Sequence, residues 1–275
     1  MTAAVKPLPP EWLAALQARL VQPPLRPRAG LWWREAEIGS VDPATMARLH
    51  AASPCARELL REVDGAFRIE APGLTCALDV LAGALRDAGL AHVWRDEQLP
   101  VTGPDGGVLG TVERAVVRPL GIPTRAVHLV GWTPDGSQWV QQRSHAKAND
   151  PGMWDTLMGG MVPASDTLDQ ALARETWEEA GLRLEQLQQV RWRGQVRTAR
   201  PSSAVEGGYV REVIDWAECI VPAGVVPRNQ DGEVQQFATS DAAELRRRLL
   251  AGDFTLEAAA VMAAAGLQGP SVMAC

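Results

Sequence analysis

The sequence is poor in residues on which several classes of protein depend. Its 275 residues include one Tyr, three Phe, four His and four Cys. The cysteines, at positions 55, 76, 219 and 275, are scattered without the spacing of a metal site. The first residues contain no apolar stretch of the kind found in a secretion signal. We therefore expect a protein of the reducing cytoplasm without a cysteine-based metal site.

Long apolar runs and an excess of positive charge are also absent. No run of about 18 apolar residues occurs that could cross a membrane. The net charge is −6 at pH 7, which argues against a dedicated binder of nucleic acids or membrane surfaces, because affinity for polyanions comes mostly from Lys and Arg. A phosphorylated small molecule is still allowed as a ligand, since a bound metal ion would supply local positive charge.

Hydrophobic residues make up 46% of the chain, enough for a core. In the first part, helices are predicted at residues 11–20, 43–52 and 75–88. Asp42 is a plausible N-cap for the second helix, and Gly89 ends the third. The turn residues 102–107 separate two extended runs and predict a hairpin. This part reads as a compact unit of helices and short strands.

From residue 126 onwards, extended runs and helical patterns follow each other. Extended runs are predicted at residues 126–132, 139–143, 187–197, 210–221 and 233–238, and helices at 168–180, 241–251 and 256–265. A Pro-Asp-Gly turn joins the first two runs as a hairpin, and Gly181 ends the first of these helices. Mixed strands with covering helices predict an α/β/α sandwich with a mixed sheet, preceded by a smaller α+β domain.

The most informative stretch spans residues 160–182 and has the pattern G-x5-D-x7-R-E-T-x-E-E-x-G-L. At about 100° per residue of an α-helix, Glu175, Glu178 and Glu179 fall on one stripe. The opposite side, which we expect to face the core, carries Ala173, Thr176, Trp177 and Ala180. The alternative is a solvated helix face laced with salt bridges, but only Arg174 is available in this turn to offset three carboxylates.

Like charges at this helical spacing repel by a few tenths of a kcal/mol per pair. A hard divalent cation would reverse the sign of that term, because Mg²⁺ takes oxygen ligands and shares its shell with water and substrate phosphate oxygens. The carboxylate stripe therefore predicts a metal site.

The stretch resembles the Nudix box, G-x5-E-x7-R-E-U-x-E-E-x-G-U with U an aliphatic residue. Asp166 stands where the pattern has Glu, and Thr176 where it has an aliphatic residue. The resemblance implies a Nudix hydrolase that cleaves a diphosphate with Mg²⁺ or Mn²⁺. Residue by residue it implies the following roles: Glu178 and Glu179 as metal ligands, Glu175 as a ligand or water-activating base, Arg174 as the group that orients the carboxylates, and a backbone carbonyl around Gly159 or Gly160 as a further ligand.

The segment that leads into the box contains candidate substrate-binding residues. Arg143 and Lys147 are spaced to reach an anion, and a Pro-Gly turn delivers Trp154 and Asp155 toward the box. A polar connecting loop with surface cations is the alternative. The segment is similar to one in the isopentenyl diphosphate isomerase branch of Nudix folds, which uses a cysteine just after it. Residues 155–160 contain no cysteine, which argues against isomerisation.

Short motifs along the chain are similar to those of a Nudix branch with an extra N-terminal domain, known as thiamine pyrophosphokinase-related. The motifs are the runs 93–97, 103–105, 113–115, 121–122, 127–129 and 231–234. We accordingly expect an N-terminal α+β domain at residues 1–118 and a Nudix domain at residues 119–275. The resemblance implies trimming of thiamine diphosphate, or of its oxidised derivatives, to the monophosphate, with the N-terminal domain helping to form the pocket for the organic end.

Two further features bear on the chemistry. An acid from outside the box is expected as an additional ligand or base, with Glu233 as the first candidate and Asp231 as the second; an ordinary turn with exposed acids is the alternative. Ten Trp are present, and Trp132, Trp154 and Trp177 are predicted near the site, where one could stack on a heteroaromatic ring.

Three hypotheses stay open at this point. The first is a Mg²⁺-dependent hydrolase of a thiamine diphosphate-like cofactor, and the second is the same chemistry on a nucleotide-type diphosphate such as ADP-ribose or NADH. The third is a non-catalytic Nudix-fold binding module, against which the crowded carboxylates argue, because a pure binder has no need for them. We expect a small-molecule diphosphate as partner and neither nucleic acid nor membrane, while monomer and homodimer are both compatible with the sequence.

Overall fold

The computed structural model describes residues 6–267 and Gly269. The N-terminal half contains helices α1 (Pro10–Leu20), α2 (Pro43–Ala52), α3 (Pro54–Leu59) and α4 (Leu74–Asp87), and strands β1 (Ala29–Trp33), β2 (Ala36–Val41), β3 (Leu60–Val63), β4 (Ala66–Ile69), β5 (Gln98–Thr102) and β6 (Val108–Glu113). The C-terminal half contains strands β7 (Thr124–Trp132), β8 (Gln138–Arg143), β9 (Trp154–Asp155), β10 (Met158–Met161), β11 (Gln188–Pro201), β12 (Tyr209–Ile220) and β13 (Val234–Ser240), and helices α5 (Leu168–Ala180), α6 (Ala242–Ala251) and α7 (Leu256–Ala265).

Most of the predicted elements are confirmed because their ends carry local signals. Asp42 caps α2, and its side chain accepts a hydrogen bond from the backbone nitrogen of Ala44. The two hairpins form as predicted, β5 with β6 and β7 with β8. No helix within the described residues is long and apolar enough to span a bilayer.

A four-stranded sheet forms the centre of the N-terminal unit. Its strand order is β2-β1-β4-β3, with β1 and β4 parallel. Helices α2 to α4 and the β5–β6 ribbon pack with it around one cluster of buried apolar side chains. These four strands were not individually predictable, because they are short and their pattern is interrupted by turns. The smaller α+β unit that the sequence predicts is confirmed.

The C-terminal half is built on a mixed sheet of seven strands, five of which follow the order β11-β12-β7-β8-β13. Strands β7 and β8 pair only where Gly131 faces Trp139 and Trp132 faces Gln138, next to their turn. Beyond that point the two strands diverge, with β10 paired to β7 and β9 paired to β8. The sheet is therefore forked, and the fork exposes the backbone of the glycines that open the box.

Strand β7 shows why helices cover both faces of this sheet. Its odd positions, such as Val127 and Leu129, pack in the cluster that contains α5 residues. Its even positions, such as Ala126 and Val130, pack on the other face against Val261 of α7. A strand that is apolar on both sides requires a layer on each side, so the predicted α/β/α sandwich is confirmed.

Helix α1 packs with the C-terminal half although it opens the chain. Its buried residues Leu16 and Leu20 share a cluster with Leu245 and Leu249 of α6 and with α7. The hydroxyl of Thr198 on β11 also donates to the carbonyl of Leu20. A division of the chain at residues 118 and 119 stays a prediction.

Candidate active site

A cleft of about 480 Å³ opens at the fork of the large sheet. It is lined by α5, by β10, by the loop between β8 and β9, and by the part of the N-terminal unit around β6. Ten of the lining side chains are Asp or Glu and seven are Arg or Lys. The surplus is negative, and a bound cation would offset it.

The cleft brings together nearly all the residues that the sequence predicts for the site. Nine of the ten predicted residues line it: Arg143, Lys147, Asp155, Gly160, Arg174, Glu175, Glu178, Glu179 and Glu233. Asp231, the second candidate for the additional acid, lines it as well. Trp154 is the one predicted residue outside the lining. The roles assigned to these residues stay predictions.

Helix α5 places its carboxylates precisely because its own sequence fixes both ends. Thr167 and Gln170 form a reciprocal capping box at its start. Gly181 follows its last turn with a φ of 63°, a left-handed conformation that favours glycine. The box pattern thus encodes the end of the helix at Gly181 as well as its charged residues, whereas Thr167 and Gln170 stand at positions that the pattern leaves open.

The prediction for the core side of α5 is wrong for two of its four residues. Thr176 and Ala180 are buried, but Ala173 is exposed and the Trp177 side chain lies on the surface. The buried side consists of Ala171, Leu172, Thr176, Glu179 and Ala180. Glu179 follows Leu172 and Thr176 at helical spacing, so one carboxylate of the stripe points into the interior instead of away from it.

Glu175 lies directly against the backbone of β10. A Cβ atom built on Gly160 would overlap the carboxyl group of Glu175, so a side chain there would displace that carboxyl group. Arg174 Nη1 lies 3.1 Å from Glu175 Oε1 and 2.7 Å from Glu178 Oε2. Arg174 Nε is in turn 2.8 Å from Asp166 Oδ2. The shorter Asp166, which replaces the Glu of the family pattern, therefore still anchors the arginine.

Burial and neighbouring negative charge act together on Glu175. Its side chain is 13% exposed. Burial and the charges of Glu179 and Glu178 raise the pKa of Glu175 to about 7, although Arg174 opposes the rise. A positive charge bound beside Glu175 would lower its pKa again, because it favours the ionised carboxylate.

Glu179 is the most buried of the three carboxylates, with 1% of its surface exposed. Its Oε2 atom accepts hydrogen bonds from Gln141 Nε2 at 2.8 Å and from the backbone nitrogen of Gly159 at 3.1 Å. Its Oε1 atom lies 3.2 Å from Lys147 Nζ, which is also 2.5 Å from Glu233 Oε2. Lys147 thus joins the box to Glu233, the predicted acid from outside it.

Asp155 is a buried residue of the cleft lining that holds two neighbouring side chains. Its Oδ1 atom accepts a hydrogen bond from the backbone nitrogen of Thr156, and its Oδ2 atom accepts one from the hydroxyl of Thr255. Arg143 Nη1 and His128 Nδ1 each lie 3.6 Å from this carboxylate. Asp155 is buried, so it is placed to hold Arg143 and His128 rather than to reach far into the cleft.

The three tryptophans predicted near the site lie elsewhere. Trp132 is buried between the sheet and α7. Trp154 packs beside α6 and α7, with the guanidinium of Arg248 over its ring at 4.4 Å. Trp177 is 44% exposed, with Arg183 over its ring at 5.1 Å. The lining residues that the structure describes include no Trp, Tyr or Phe, so a stacking tryptophan gains no support.

Sequence reasoning missed the corner of the N-terminal unit that reaches the cleft. Arg95, Glu97 and Arg114 line it, and Glu97 Oε2 lies 2.6 Å from Arg114 Nη1. The buried carboxylate of Glu113 fixes this corner, because it accepts hydrogen bonds from the backbone nitrogens of Arg95, Glu97 and Ala115. These residues lie in two of the short motifs, 93–97 and 113–115. The order of the motifs indicates a family branch, but it does not show that these residues line a cleft.

A polar cluster on the α7 side of the sheet was missed as well. Thr124 of β7 and Glu212 of β12 are paired in the parallel register, and Arg118 lies beside them. Thr124 and Glu212 are 88 positions apart in the chain, and they form a hydrogen bond across the two strands. Polar residues at even positions of otherwise apolar strands were the available signal, but the pairing of the two strands is not readable from the sequence.

The residues present fit a hard divalent cation. The donors are carboxylate oxygens of Glu175, Glu178 and Glu179 beside the backbone of Gly160, the oxygen donor set that Mg²⁺ and Mn²⁺ prefer. In the arrangement of the described residues, no three His, Cys, Asp or Glu side chains already converge as a metal cluster. The carboxylates are instead held by Arg174 and Lys147.

Comparisons with known proteins agree with this geometry. Residues 122–261 match the NUDIX domain family. The chloroplastic Nudix hydrolase 20 of Arabidopsis thaliana is 30% identical over 168 residues, covering 56% of this chain and 41% of that protein. An uncharacterized Nudix hydrolase of Pseudomonas aeruginosa is 37% identical over 100 residues, covering 36% of this chain and 54% of that protein.

A solved structure from Deinococcus radiodurans matches 58% of this chain and 92% of its own, with a TM-score of 0.44 and 20% identity. The chain spans about half or less of the length of the curated relatives named above. The family match covers about half of this chain and contains the box, α5 and the forked sheet. The chain belongs to the Nudix family.

Proposed function

We propose that this protein is a divalent-metal-dependent hydrolase that cleaves a diphosphate linkage of a small organic diphosphate. The observation that carries the proposal is that Glu175, Glu178 and Glu179 all line one cleft, with Glu175 against the backbone of Gly160. In the proposal these three carboxylates and the carbonyl of Gly160 hold Mg²⁺ or Mn²⁺. A pure binding module would have no use for buried carboxylates that repel each other.

In the proposal, the other residues of the cleft bind the phosphoryl oxygens or orient the carboxylates. A bound divalent cation activates water and neutralises charge on phosphoryl oxygens. Arg143 and Lys147 lie in the cleft as donors for phosphoryl oxygens, and Asp155 orients Arg143. Arg174 orients Glu175 and Glu178 through its two ion pairs.

Glu233 is proposed as the additional ligand or base. Burial would raise its pKa, but the hydrogen bond and charge of Lys147, with the charges of Arg95 and Arg114, lower the pKa below its ordinary value. The carboxylate is therefore ionised at neutral pH, which suits a metal ligand better than a base, because a lowered pKa weakens its hold on a proton. Its contact with Lys147 places it within the same cleft as Glu179.

Thiamine diphosphate, or an oxidised derivative of it, is the proposed substrate, with the monophosphate as product. The resemblance of the short motifs to the thiamine pyrophosphokinase-related branch supports this choice. Arg95 and Arg114 extend the cleft into the N-terminal unit. This supports the proposal that residues 1–118 form a domain of the thiamine pyrophosphokinase-related branch that helps to bind the organic end, ahead of a Nudix domain at residues 119–275.

A substrate panel tests this function. Thiamine diphosphate, ADP-ribose, NADH and isopentenyl diphosphate are incubated with the full chain and Mg²⁺, and released monophosphates are quantified with and without a chelator. The expected result is chelator-sensitive release of thiamine monophosphate at a rate above that from ADP-ribose. Hydrolysis of ADP-ribose with no preference for thiamine diphosphate would remove the substrate proposal, and hydrolysis of no diphosphate would remove the reaction.

A further inference from the structure

Glu212 is a buried carboxylate in the cleft with one oxygen engaged and one free. Its Oε2 atom accepts hydrogen bonds from the hydroxyl of Thr124 at 2.8 Å and from Arg118 Nη2 at 3.2 Å. Its side chain is only 9% exposed, yet it lines the cleft. None of the described residues donates a hydrogen bond to its Oε1 atom. A fixed acceptor without a partner inside a cleft is placed to receive a donor from a ligand.

The surroundings of Glu212 keep it charged. Burial opposes ionisation, but the charge of Arg118 and the hydrogen bonds from Thr124 and Arg118 outweigh it, so the pKa of Glu212 lies below its ordinary value. The nearby imidazole of His128 acts in the same direction. The carboxylate therefore offers a full negative charge to a ligand at neutral pH.

Glu212 lies on the opposite face of the sheet from α5. The even positions of β7 and β12, which include Thr124, Ala126 and Glu212, face the α7 side, while α5 covers the odd positions. The single cleft nevertheless contains both Glu212 and the carboxylates of α5. A ligand with its phosphates at α5 would extend its organic part past β10 toward Glu212.

The residues that line the cleft around Glu212 suit a flat, nitrogen-containing aromatic ring. Ala126 and Val210 supply small apolar surfaces, and Arg200 lines the same cleft. Arg200 Nη2 is paired with Glu257 at 2.8 Å, but its buried Nε atom has no hydrogen-bond partner among the described residues. Arg200 is paired with Val210, two residues from Glu212 along β12. An acceptor at Glu212 with a guanidinium beside it matches a ring edge that carries both an amino group and a ring nitrogen.

We propose that Glu212 is a specificity-determining residue that binds the organic group of the substrate, and that this group is an aminopyrimidine whose N–H donates to Glu212 Oε1. The inference rests on the proposed function for the position of the phosphates at α5. It adds the residue and the chemical class that select the substrate. An aminopyrimidine occurs alone in thiamine and fused within adenine, and the substrates compared below distinguish the two sources.

The test is Glu212→Gln, which removes the charge and keeps an oxygen for Thr124 and Arg118. Its matched control is Asp215→Asn on the same strand. Asp215 is also a buried carboxylate in an ion pair, with Arg125 Nη2 at 2.7 Å, but it is not part of the cleft lining that the structure describes. Thermal unfolding of both variants shows that they fold.

Three diphosphates separate the sources of recognition. In Glu212→Gln, KM for thiamine diphosphate is expected to rise about tenfold or more, the worth of a hydrogen bond to a charged group, with kcat little changed. Isopentenyl diphosphate, which has no N–H donor and no cationic ring, should be hydrolysed as by the wild-type protein. A matching loss with ADP-ribose supports recognition of the amino ring in general, and a loss with thiamine diphosphate alone supports the cationic source. An equal loss on all three, or no loss on any, overturns the inference.

A binding measurement keeps this inference separate from the reaction. Titration calorimetry with thiamine monophosphate, and with AMP, is performed without divalent cations on the wild-type protein and both variants. Binding by the wild-type protein and Asp215→Asn, weakened about tenfold in Glu212→Gln, supports the subsite even if no diphosphate is hydrolysed. If the wild-type protein binds neither thiamine monophosphate nor AMP, the inference about Glu212 is overturned, whatever the substrate panel shows.

Discussion

Gly160 and Glu175 occupy adjoining space, since a side chain on Gly160 would begin where the carboxyl group of Glu175 lies. The contact joins the first residue of the box to the helix that the box encodes. It explains physically why a glycine stands 15 positions before Glu175. The backbone of β10 can then approach the carboxylate closely.

Gly160→Ala is predicted to displace Glu175 and to lower kcat/KM about 100-fold, because a shift of about 1 Å in a catalytic group has costs of that order. The free energy of unfolding should change little, because the overlapping atoms are the far end of the flexible Glu175 side chain. Kinetics and thermal unfolding measure the two effects. Gly83→Ala is the control, since a Cβ there meets nothing within 4 Å. A Gly160→Ala enzyme with normal kcat/KM would show that Glu175 is not fixed by this contact.

Lys147 is predicted to serve both the substrate and the buried Glu179. Lys147→Met should lower kcat/KM at least about tenfold, the loss expected for a charged hydrogen bond. It should also destabilise the metal-free protein, because Glu179 loses its nearest cation. Lys147→Arg should restore part of both. Equal stability of the Lys147→Met variant and the wild-type protein would contradict the coupling to Glu179.

Arg95 is predicted to contribute to substrate binding from the N-terminal unit. Arg95→Ala should raise KM about three- to tenfold with kcat unchanged, because a solvent-exposed charged contact contributes little more than about 1 kcal/mol. Arg61→Ala on β3 is the control, since Arg61 is exposed and outside the described cleft lining. Steady-state kinetics with thiamine diphosphate separates the two parameters. If both variants behave alike, the N-terminal unit does not touch the substrate through Arg95.

Asp166 stands where the family pattern has Glu, and its substitution tests whether the shorter carboxylate still serves the site. Asp166→Asn should weaken the hold on Arg174, whose Nε atom lies 2.8 Å from the carboxylate, and reduce kcat about tenfold, as for supporting groups around a metal site. Asp166→Glu, which restores the family residue, should retain activity. A fully active Asp166→Asn variant would show that Glu175 and Glu178 orient Arg174 without it.

What the sequence predicted correctly depends on local signals. The start of α2 and the end of α5 follow from Asp42 and Gly181, each acting within a few residues. Most site residues were predictable because the box and the segment before it are continuous in the chain. The pairing of β9 with β8 and of β10 with β7 then brings them to one cleft.

What the sequence could not reveal depends on tertiary pairing. Glu212 and Thr124 meet only because β12 and β7 pair in parallel, and Glu113 holds Arg95 through backbone atoms that no side-chain pattern records. Trp177 was misplaced because its position on the helix wheel was assigned from the charges of its neighbours. Glu179 enters the buried side with hydrogen bonds to satisfy it, an outcome that polarity alone does not predict.

The central claim is that the carboxylates of α5 hold the divalent cation of a diphosphate hydrolase. Glu178→Gln tests it most directly, with Glu185→Gln as the matched control, because Glu185 is exposed and outside the described cleft lining. Diphosphate hydrolysis and the rise in melting temperature are measured against Mg²⁺ concentration for both variants. We predict that Glu178→Gln folds but loses Mg²⁺-dependent turnover about 100-fold or more, with a weakened Mg²⁺ effect on melting. Unchanged hydrolysis and an unchanged Mg²⁺ response in Glu178→Gln would contradict the account.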